Sequence, residues 1–291
     1  VYFDALGGLS LKFSANRDNG DLQFRSNGQV TFGNTSAPLT INGKRYVLVD
    51  NLAALKDGIN SNLSGYFALA NDYDASADGV YSSSPIPRFR GTLEGLGHKL
   101  SNLSINDQTR GAAVGLIGVQ ADGFVRDIAL ANVDIVGGVA GMGGAITGKN
   151  EGTIVNSFAS GTVTLLKSAY AGGLVGLNFN TVDNCHADVL TTGGAHSIAG
   201  GLVGFNVGAH GTINRSSSNG NVVAQTGAIA GGLAGATSGR IWESFATGNT
   251  TGGDKAIVGG LTGYNTGGNF GRIIASYETG SVFATAKSAV G

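Results

Sequence analysis

The sequence has 291 residues, and 51 of them are glycine while only 3 are proline and 1 is cysteine. Hydrophobic residues reach 42%, enough for a sizeable core, whereas 13% are charged and the formal net charge is -1. Balanced, scattered charge excludes a nucleic-acid-binding footprint, and a single cysteine excludes an intrachain disulfide and any two-cysteine metal or redox motif. No apolar run approaches the roughly 18 residues that would span a bilayer.

The first part of the chain, residues 1–105, alternates like short strands but follows no fixed period. The helix pattern in it covers residues 49–60, with Asp50 or Asn51 as the cap, Leu52 and Leu55 on the apolar face and an end at Gly58. We expect an irregular β region carrying one short helix over the end of the fold. Its strand patterns lie at residues 9–13, 22–24, 29–32 and 39–41.

The second part, residues 106–291, repeats a glycine-rich phrase such as AGGLVGLN at residues 171–178. The residue after its second glycine recurs at steps of 29, 29, 28, 31 and 28, at Leu116, Ala145, Leu174, Leu202, Leu233 and Leu261. A second phrase places one inward column at Ile154, Val182, Ile213, Ile241 and Ile273. Short Val, Ile, Thr and Gly strands at this period predict a parallel β-helix of about six coils of 28 to 31 residues.

A tight bend is predicted in every coil after the isoleucine column. Small side chains should pack inside it at Ile128, Ser157, Cys185, Ser216, Ser244 and Ser276. The preceding column should adopt the left-handed backbone that such bends need, at Asp127, Asn156, Asn184, Arg215, Glu243 and Ala275. Cys185 is therefore predicted to be a small buried side chain instead of a reactive thiol.

Two further phrases, YFALANDYDAS from Tyr66 and FRGTLEGLGHKLSNLSI from Phe89, stand before the glycine repeats. Together with the repeats they resemble the segment of secreted bacterial proteins of the filamentous-haemagglutinin type that carries GLUG repeats. The resemblance covers roughly residues 40–291. It implies a right-handed β-helix, export from a Gram-negative cell and a role at the cell surface, and similar repeats also occur beside peptidase domains. It implies no substrate.

Candidate chemistry is sparse along the repeats. Glycoside hydrolysis needs two carboxyl groups about 5 to 9.5 Å apart, and no column offers two neighbouring acids. Glu243 stands between Arg215 and Ala275 in its column and is expected to pair with Arg215. The four histidines show no metal-like spacing, and no cofactor is predicted.

One weak calcium pattern lies in DASADG, at Asp74, Ser76 and Asp78. Pro85 stands where the pattern requires a bidentate Glu. A polar turn capped by its own side chains is therefore the preferred interpretation.

The column after the bend should point outward and contains four rings: Phe158, His186, Phe245 and Tyr277. Exposed rings could stack against sugars, and the alternative is that a loop or another molecule covers them. This column is the candidate binding site.

The preferred function is a non-catalytic structural or adhesive module of a secreted, cell-surface exoprotein. A host or matrix glycan or a surface protein is the expected partner, with no nucleic acid and no membrane insertion. The first alternative is a polysaccharide-degrading enzyme, a glycoside hydrolase or lyase, on the same scaffold. An ice or mineral binder would need a flat threonine array, which the repeats do not supply. Val1 starts no signal sequence and Gly291 follows no polar cap, so we expect a piece of a longer chain or an end that self-associates.

Overall fold

The computed structural model describes residues 8–11, 28–267 and 270–291, together with the backbone of residues 2–3. Short parallel strands stack into four sheets, here called sheets A to D in the order in which one coil passes through them. The strand pattern at 22–24 and the end of the one at 9–13 lie outside the described residues.

A single coil shows how the four sheets are built. Met142–Gly143 belongs to sheet A, Thr147–Asn150 to sheet B, Thr153–Val155 to sheet C and Phe158–Leu165 to sheet D. The chain then returns to sheet A at Tyr170–Gly172, and each strand pairs in parallel with its counterpart one coil away. The predicted all-β parallel β-helix is confirmed.

Sheets A and B contain seven strands each within the described residues. The strands of sheet A are Ala113–Val114, Met142–Gly143, Tyr170–Gly172, Ile198–Gly200, Ile229–Gly231, Ile257–Gly259 and Ala289–Val290. Those of sheet B are Ile86–Phe89, Ile117–Gln120, Thr147–Asn150, Val175–Asn178, Val203–Asn206, Ala234–Thr237 and Thr262–Asn265.

Sheets C and D are larger, because each takes several strands from the first hundred residues and several coils give sheet D two strands. The strands of sheet C are Leu9–Leu11, Leu39–Ile41, Lys44–Val49, Tyr66–Leu69, Thr92–Glu94, Phe124–Arg126, Thr153–Val155, Thr181–Asp183, Thr212–Asn214, Arg240–Trp242 and Arg272–Ile274. Those of sheet D are Tyr73–Asp74, Val80–Tyr81, Lys99–Ser101, Ser104–Asp107, Ala129–Gly137, Phe158–Leu165, His186–Gly193, Ser217–Ser218, Val222–Ala224, Phe245–Ala246, Thr250–Gly252, Tyr277–Glu278 and Val282–Ala284. A separate pair joins Tyr2–Phe3 to Thr31–Phe32.

The parallel stack of sheet C begins at Lys44–Val49, so the solenoid has about nine turns. In its first two register steps Val47 pairs with Phe67 and Phe67 pairs with Leu93. Both steps span fewer residues than any later step in the sheet, of which Leu93 to Val125 is the first. The irregular first coils therefore join the same ladder as the regular repeats, and pairing continues across residues 105 and 106.

The one α-helix of the described chain is Leu52–Ser61. Asn51 caps it by accepting a hydrogen bond from Ala54 N at 2.8 Å, while Leu52, Leu55 and Ile59 are buried. The helix continues past the predicted end at Gly58. That glycine has a packing role instead, because a Cβ there would lie 2.6 Å from the ring of Phe67.

The interior is filled by columns that the repeat predicts. The marker column is fully buried from Leu116 to Leu233 and half-buried at Leu261. The register aligns the isoleucine column as predicted, at Ile154, Val182, Ile213, Ile241 and Ile273. Larger side chains, including Phe67 and Phe89, fill the same core next to the helix.

The predicted bend lies between sheets C and D. All six residues of the preceding column have φ between 46° and 53°, even where the residue is Arg215, Glu243 or Ala275. Inside the bend, each serine hydroxyl accepts a hydrogen bond from the backbone N–H one coil earlier, as from Ser216 N to Ser244 Oγ at 3.1 Å. The same hydroxyl donates to the carbonyl of Trp242. The serine column thus satisfies backbone groups that the bend removes from the sheets.

A buried asparagine ladder, which the sequence analysis missed, ends the strands of sheet B. Asn150 Nδ2 donates to Asn178 Oδ1 at 2.7 Å, and Asn178 Nδ2 donates to Asn206 Oδ1 at 2.8 Å. Asn206 Nδ2 then donates to Thr237 Oγ1 at 3.2 Å. These four side chains are fully buried, so the ladder ties consecutive coils together inside the fold.

The family phrases of the first part attach the N-terminal strands to the solenoid. His98 is buried, with Nδ1 3.0 Å from Asp72 Oδ1 and Nε2 2.9 Å from Val30 O. Val30 N also donates to Leu96 O. Burial works to raise the pKa of Asp72, but hydrogen bonds from Lys99 N and His98 outweigh it, so the pKa is lowered.

Candidate functional site

The predicted ring column lies on the outer face of sheet D. Register pairs align it in the order Ala129, Phe158, His186, Ser217, Phe245 and Tyr277. Phe158, His186 and Phe245 are half-buried, and 56% of Tyr277 is exposed. The structure therefore brings the four predicted residues onto one exterior wall.

The rings form two separate pairs. The centroids of Phe158 and His186 are 5.6 Å apart with 14° between their planes, and those of Phe245 and Tyr277 are 5.3 Å apart with 7°. Ser217 separates the pairs. Because the rings stack on each other along the solenoid axis, each pair stabilises neighbouring coils and leaves part of its ring surface to contact a ligand.

His186 connects the first ring pair to Ser217, the residue between the two pairs. Its Nδ1 lies 2.7 Å from Ser217 Oγ. Burial lowers the pKa of His186, while the negative charge of Asp188 acts in the opposite direction. At neutral pH the ring is therefore uncharged and offers one donor and one acceptor beside an apolar face.

The calcium candidate is a hydrogen-bonded turn. Asp74 caps a short 3-10 helix, Ala75–Asp78, by accepting from Ser76 N at 2.9 Å, and it also accepts from Asn102 Nδ2 at 2.7 Å. Both oxygens of Asp78 accept from tyrosine hydroxyls, Tyr73 at 2.6 Å and Tyr81 at 2.7 Å. Protein donors thus contact the carboxylates that a cation would need.

Cys185 lies in the serine column as predicted and is 2% exposed. Burial is the largest influence on its thiol and raises the pKa to about 12. Arg215, at the bend, pairs with Asp183 on the preceding coil through two contacts, at 2.6 and 3.1 Å. Glu243 was the predicted partner of Arg215. The ion pair that forms uses Asp183 on sheet C instead, and the column alignment did not predict this contact.

A second exterior surface, on sheet C, was not singled out from the sequence. Arg240 and Arg272 are neighbours in register, as are Trp242 and Ile274. These four exposed side chains and Ile241 line a pocket of about 220 Å³, here called the arginine pocket. The sequence could have predicted this surface, because the residues before and after each inward isoleucine point outward on a strand.

Among the described residues, no group of three or more His, Cys, Asp or Glu side chains is placed to hold a metal ion. The helix found in the described chain is also too short and too polar to cross a bilayer.

One coil of the solenoid matches a known sequence motif, and part of the chain is similar to a known protein. Residues 168–192 match the GLUG motif. This segment covers a sheet A strand, a sheet B strand, a sheet C strand and the start of the long sheet D strand, so the motif corresponds to one coil. The predicted GLUG motif is confirmed in this coil. Halomucin from Haloquadratum walsbyi is 33% identical over 134 residues, which are 40% of this chain and 1% of halomucin.

Two solved structures share the fold. A candidate immunoglobulin A1 protease from Bacteroides ovatus superposes with a TM-score of 0.62 at 21% identity, over 85% of this chain and 77% of that one. A structure named IgA1 Protease gives a TM-score of 0.61 at 19% identity, over 82% of this chain and 20% of that one. At these identities the likeness establishes the β-solenoid and carries no activity to this chain.

Proposed function

We propose that this chain is a non-catalytic structural and adhesive module of a secreted, cell-surface protein. The observation that carries the proposal is that the inward and outward residues of each coil have different roles. Repeated residues point inward and bond to the next coil, while the residues that differ between coils form long exterior walls. Stacked repeats with this division are typical of proteins that bind through an extended surface.

Secretion and surface display are part of the same proposal. The GLUG coil and the similarity to halomucin support a repeat protein that functions outside the cell. The low charged fraction, 13%, leaves solubility to Ser, Thr and Asn side chains on the walls. The filamentous-haemagglutinin resemblance adds attachment or extracellular assembly as the role.

Sheet D is the proposed attachment wall, with its two ring pairs as contacts for a glycan or a surface protein. The test measures binding of the chain to arrays of uncharged glycans and extracellular-matrix proteins. Joint substitution Phe245→Ala and Tyr277→Ala should abolish binding. Phe283→Ala is the matched control, because Phe283 is 57% exposed on the same sheet in a different column and should leave binding unchanged. Binding that survives loss of Phe245 and Tyr277 would contradict the assignment of this wall.

The enzymatic alternatives make opposite predictions. A glycoside hydrolase or lyase would release reducing or unsaturated ends from polysaccharides, and turnover lost on Glu243→Gln would support it. The names of the two structural neighbours suggest a protease assay with immunoglobulin A1 as substrate. We expect neither sugar release nor cleavage of immunoglobulin A1.

A further inference from the structure

The arginine pocket lies at the end of a polar column on the outer face of sheet C. In register order, the column that ends in the two arginines reads Thr153, Thr181, Thr212, Arg240 and Arg272. Two arginines therefore follow three threonines, on neighbouring strands whose backbones are about 4.8 Å apart. Like charges so close repel each other, and the fold gains nothing evident from placing them there.

Neither arginine is neutralised within the described chain. No acidic side chain there forms an ion pair or hydrogen bond with Arg240 or Arg272, and both side chains are exposed. Arg215, one coil away, provides the contrast, because Asp183 holds it in a bidentate pair. Two unpaired guanidinium groups side by side create a positive site on a chain whose formal net charge is only -1.

The rest of the pocket is apolar. Trp242 and Ile274, both 44% exposed, stand at the far ends of the same two strands and face outward beside the arginines. An indole ring beside a branched aliphatic side chain offers an apolar surface that a ligand can contact. The pocket thus joins a pair of bidentate cationic donors to an apolar platform.

We propose that the arginine pocket binds an acidic polysaccharide whose sugar rings carry carboxylates, such as a uronic-acid polymer. Planar guanidinium groups match planar carboxylates through two parallel hydrogen bonds, while Trp242 and Ile274 receive the apolar face of the sugar ring. The position of the two arginines on consecutive coils fits a polymer that runs along the solenoid axis. The biological use of this site rests on the proposed adhesive function; the binding chemistry does not.

The chain offers a direct probe, because Trp242 is its only tryptophan. Titration with oligogalacturonate should change the intrinsic fluorescence saturably, and the apparent affinity should fall as salt screens the charges. Amylose, a neutral polymer, should give no change at the same concentrations. An unchanged Trp242 spectrum with oligogalacturonate, or an equal response to amylose, would overturn the proposal.

Charge-neutralising variants locate the site. Arg240→Gln and Arg272→Gln should each weaken binding about tenfold or more, since each removes charge-assisted hydrogen bonds to the carboxylate. The matched control is Arg88→Gln, because Arg88 is an exposed arginine on sheet B and should bind as wild type. Wild-type affinity in the double arginine variant would overturn the proposal, and circular dichroism verifies that each variant is folded.

Two further arms fix the ligand class and separate this proposal from the previous one. Dextran sulfate that binds more tightly than oligogalacturonate of equal charge would overturn the carboxylate assignment. The ring substitutions at Phe245 and Tyr277 on sheet D should leave oligogalacturonate binding unchanged. If the pocket test fails while those ring substitutions abolish attachment to the arrays, the adhesive function stands without the pocket; if the reverse occurs, the pocket stands alone.

Discussion

Asn178 lies at the centre of the buried asparagine ladder and supports three coils. Its Oδ1 accepts from Asn150 Nδ2 at 2.7 Å, and its Nδ2 donates to Asn206 Oδ1 and to Asn180 O, both at 2.8 Å. The side chain has no exposed surface. Asn178→Ala removes these contacts where water cannot replace them.

The expected loss follows from the contacts. Each net hydrogen bond contributes about 1 kcal/mol, and each buried partner left without one costs about 1 to 3 kcal/mol. Because Asn150 Nδ2 keeps a second, longer contact to Thr181 O, we expect Asn178→Ala to lower the free energy of unfolding by about 3 to 5 kcal/mol. Urea unfolding followed by circular dichroism measures the difference.

Two control variants make the measurement specific. Thr237 occupies the same ladder and accepts from Asn206, so Asn178→Thr should retain an acceptor for Asn150 and lose about half as much stability. Asn60→Ala, on the exposed face of the helix, should change stability by no more than about 0.5 kcal/mol. A loss below about 1 kcal/mol for Asn178→Ala would refute the reasoning that the ladder holds the coils together.

Three further predictions concern the glycine repeat, the bend and the buried thiol. A Cβ at Gly173 would lie 2.1 Å from Gly201 O of the next coil, so Gly173→Ala should cost more than about 2 kcal/mol in thermal unfolding; an unchanged Tm would contradict the close stacking. Glu243 has a φ of 47°, and Glu243→Asn should stabilise the fold by up to about 1 kcal/mol in urea unfolding, whereas a loss would mean that the left-handed backbone is not strained. Because the pKa of Cys185 is raised to about 12, its thiol should not react with Ellman's reagent at pH 8 in the folded protein and should react fully in urea. The raised pKa stabilises the fold below about pH 9, and this contribution to stability is lost as the pH rises towards 12. Rapid modification of the folded chain would contradict its burial.

The repeat period made the fold predictable because stacking leaves few alternatives. Once the marker column and the isoleucine column recur together at a nearly constant spacing, short strands can bury both columns only by coiling. The left-handed bend was predicted for the whole column from the asparagines at Asn156 and Asn184, and it is present even at Arg215 and Glu243, whose side chains give no local signal. Their backbone is imposed by the coils on either side.

The asparagine ladder shows what the period alone does not reveal. Asn178 and Asn206 are the last residues of two copies of the glycine phrase. A polar residue at a strand end is usually exposed, and only the stacked register shows that these two are buried. The first coils were also hard to place, because the register steps on either side of Phe67 are shorter than the repeat period. The strands before them are attached through contacts such as His98 with Val30, which are distant in sequence.

The candidate wall was predictable in position but not in geometry. Alternation placed Phe158, His186, Phe245 and Tyr277 outside, yet it could not show that the rings stack in two pairs around Ser217. The arginine pocket was not predicted, because it contains no paired acids and its signal is a pair of unneutralised arginines beside Trp242. Both surfaces lie in the residues that vary between coils.

One measurement tests the central claim that this solenoid binds without catalysis. The chain is incubated with oligogalacturonate under conditions in which Trp242 fluorescence reports saturation, and the oligomer lengths are then determined by mass spectrometry. We predict saturable binding with every oligomer recovered at its original length. Shortened or unsaturated oligomers that disappear with Glu243→Gln would contradict the account and establish an enzyme.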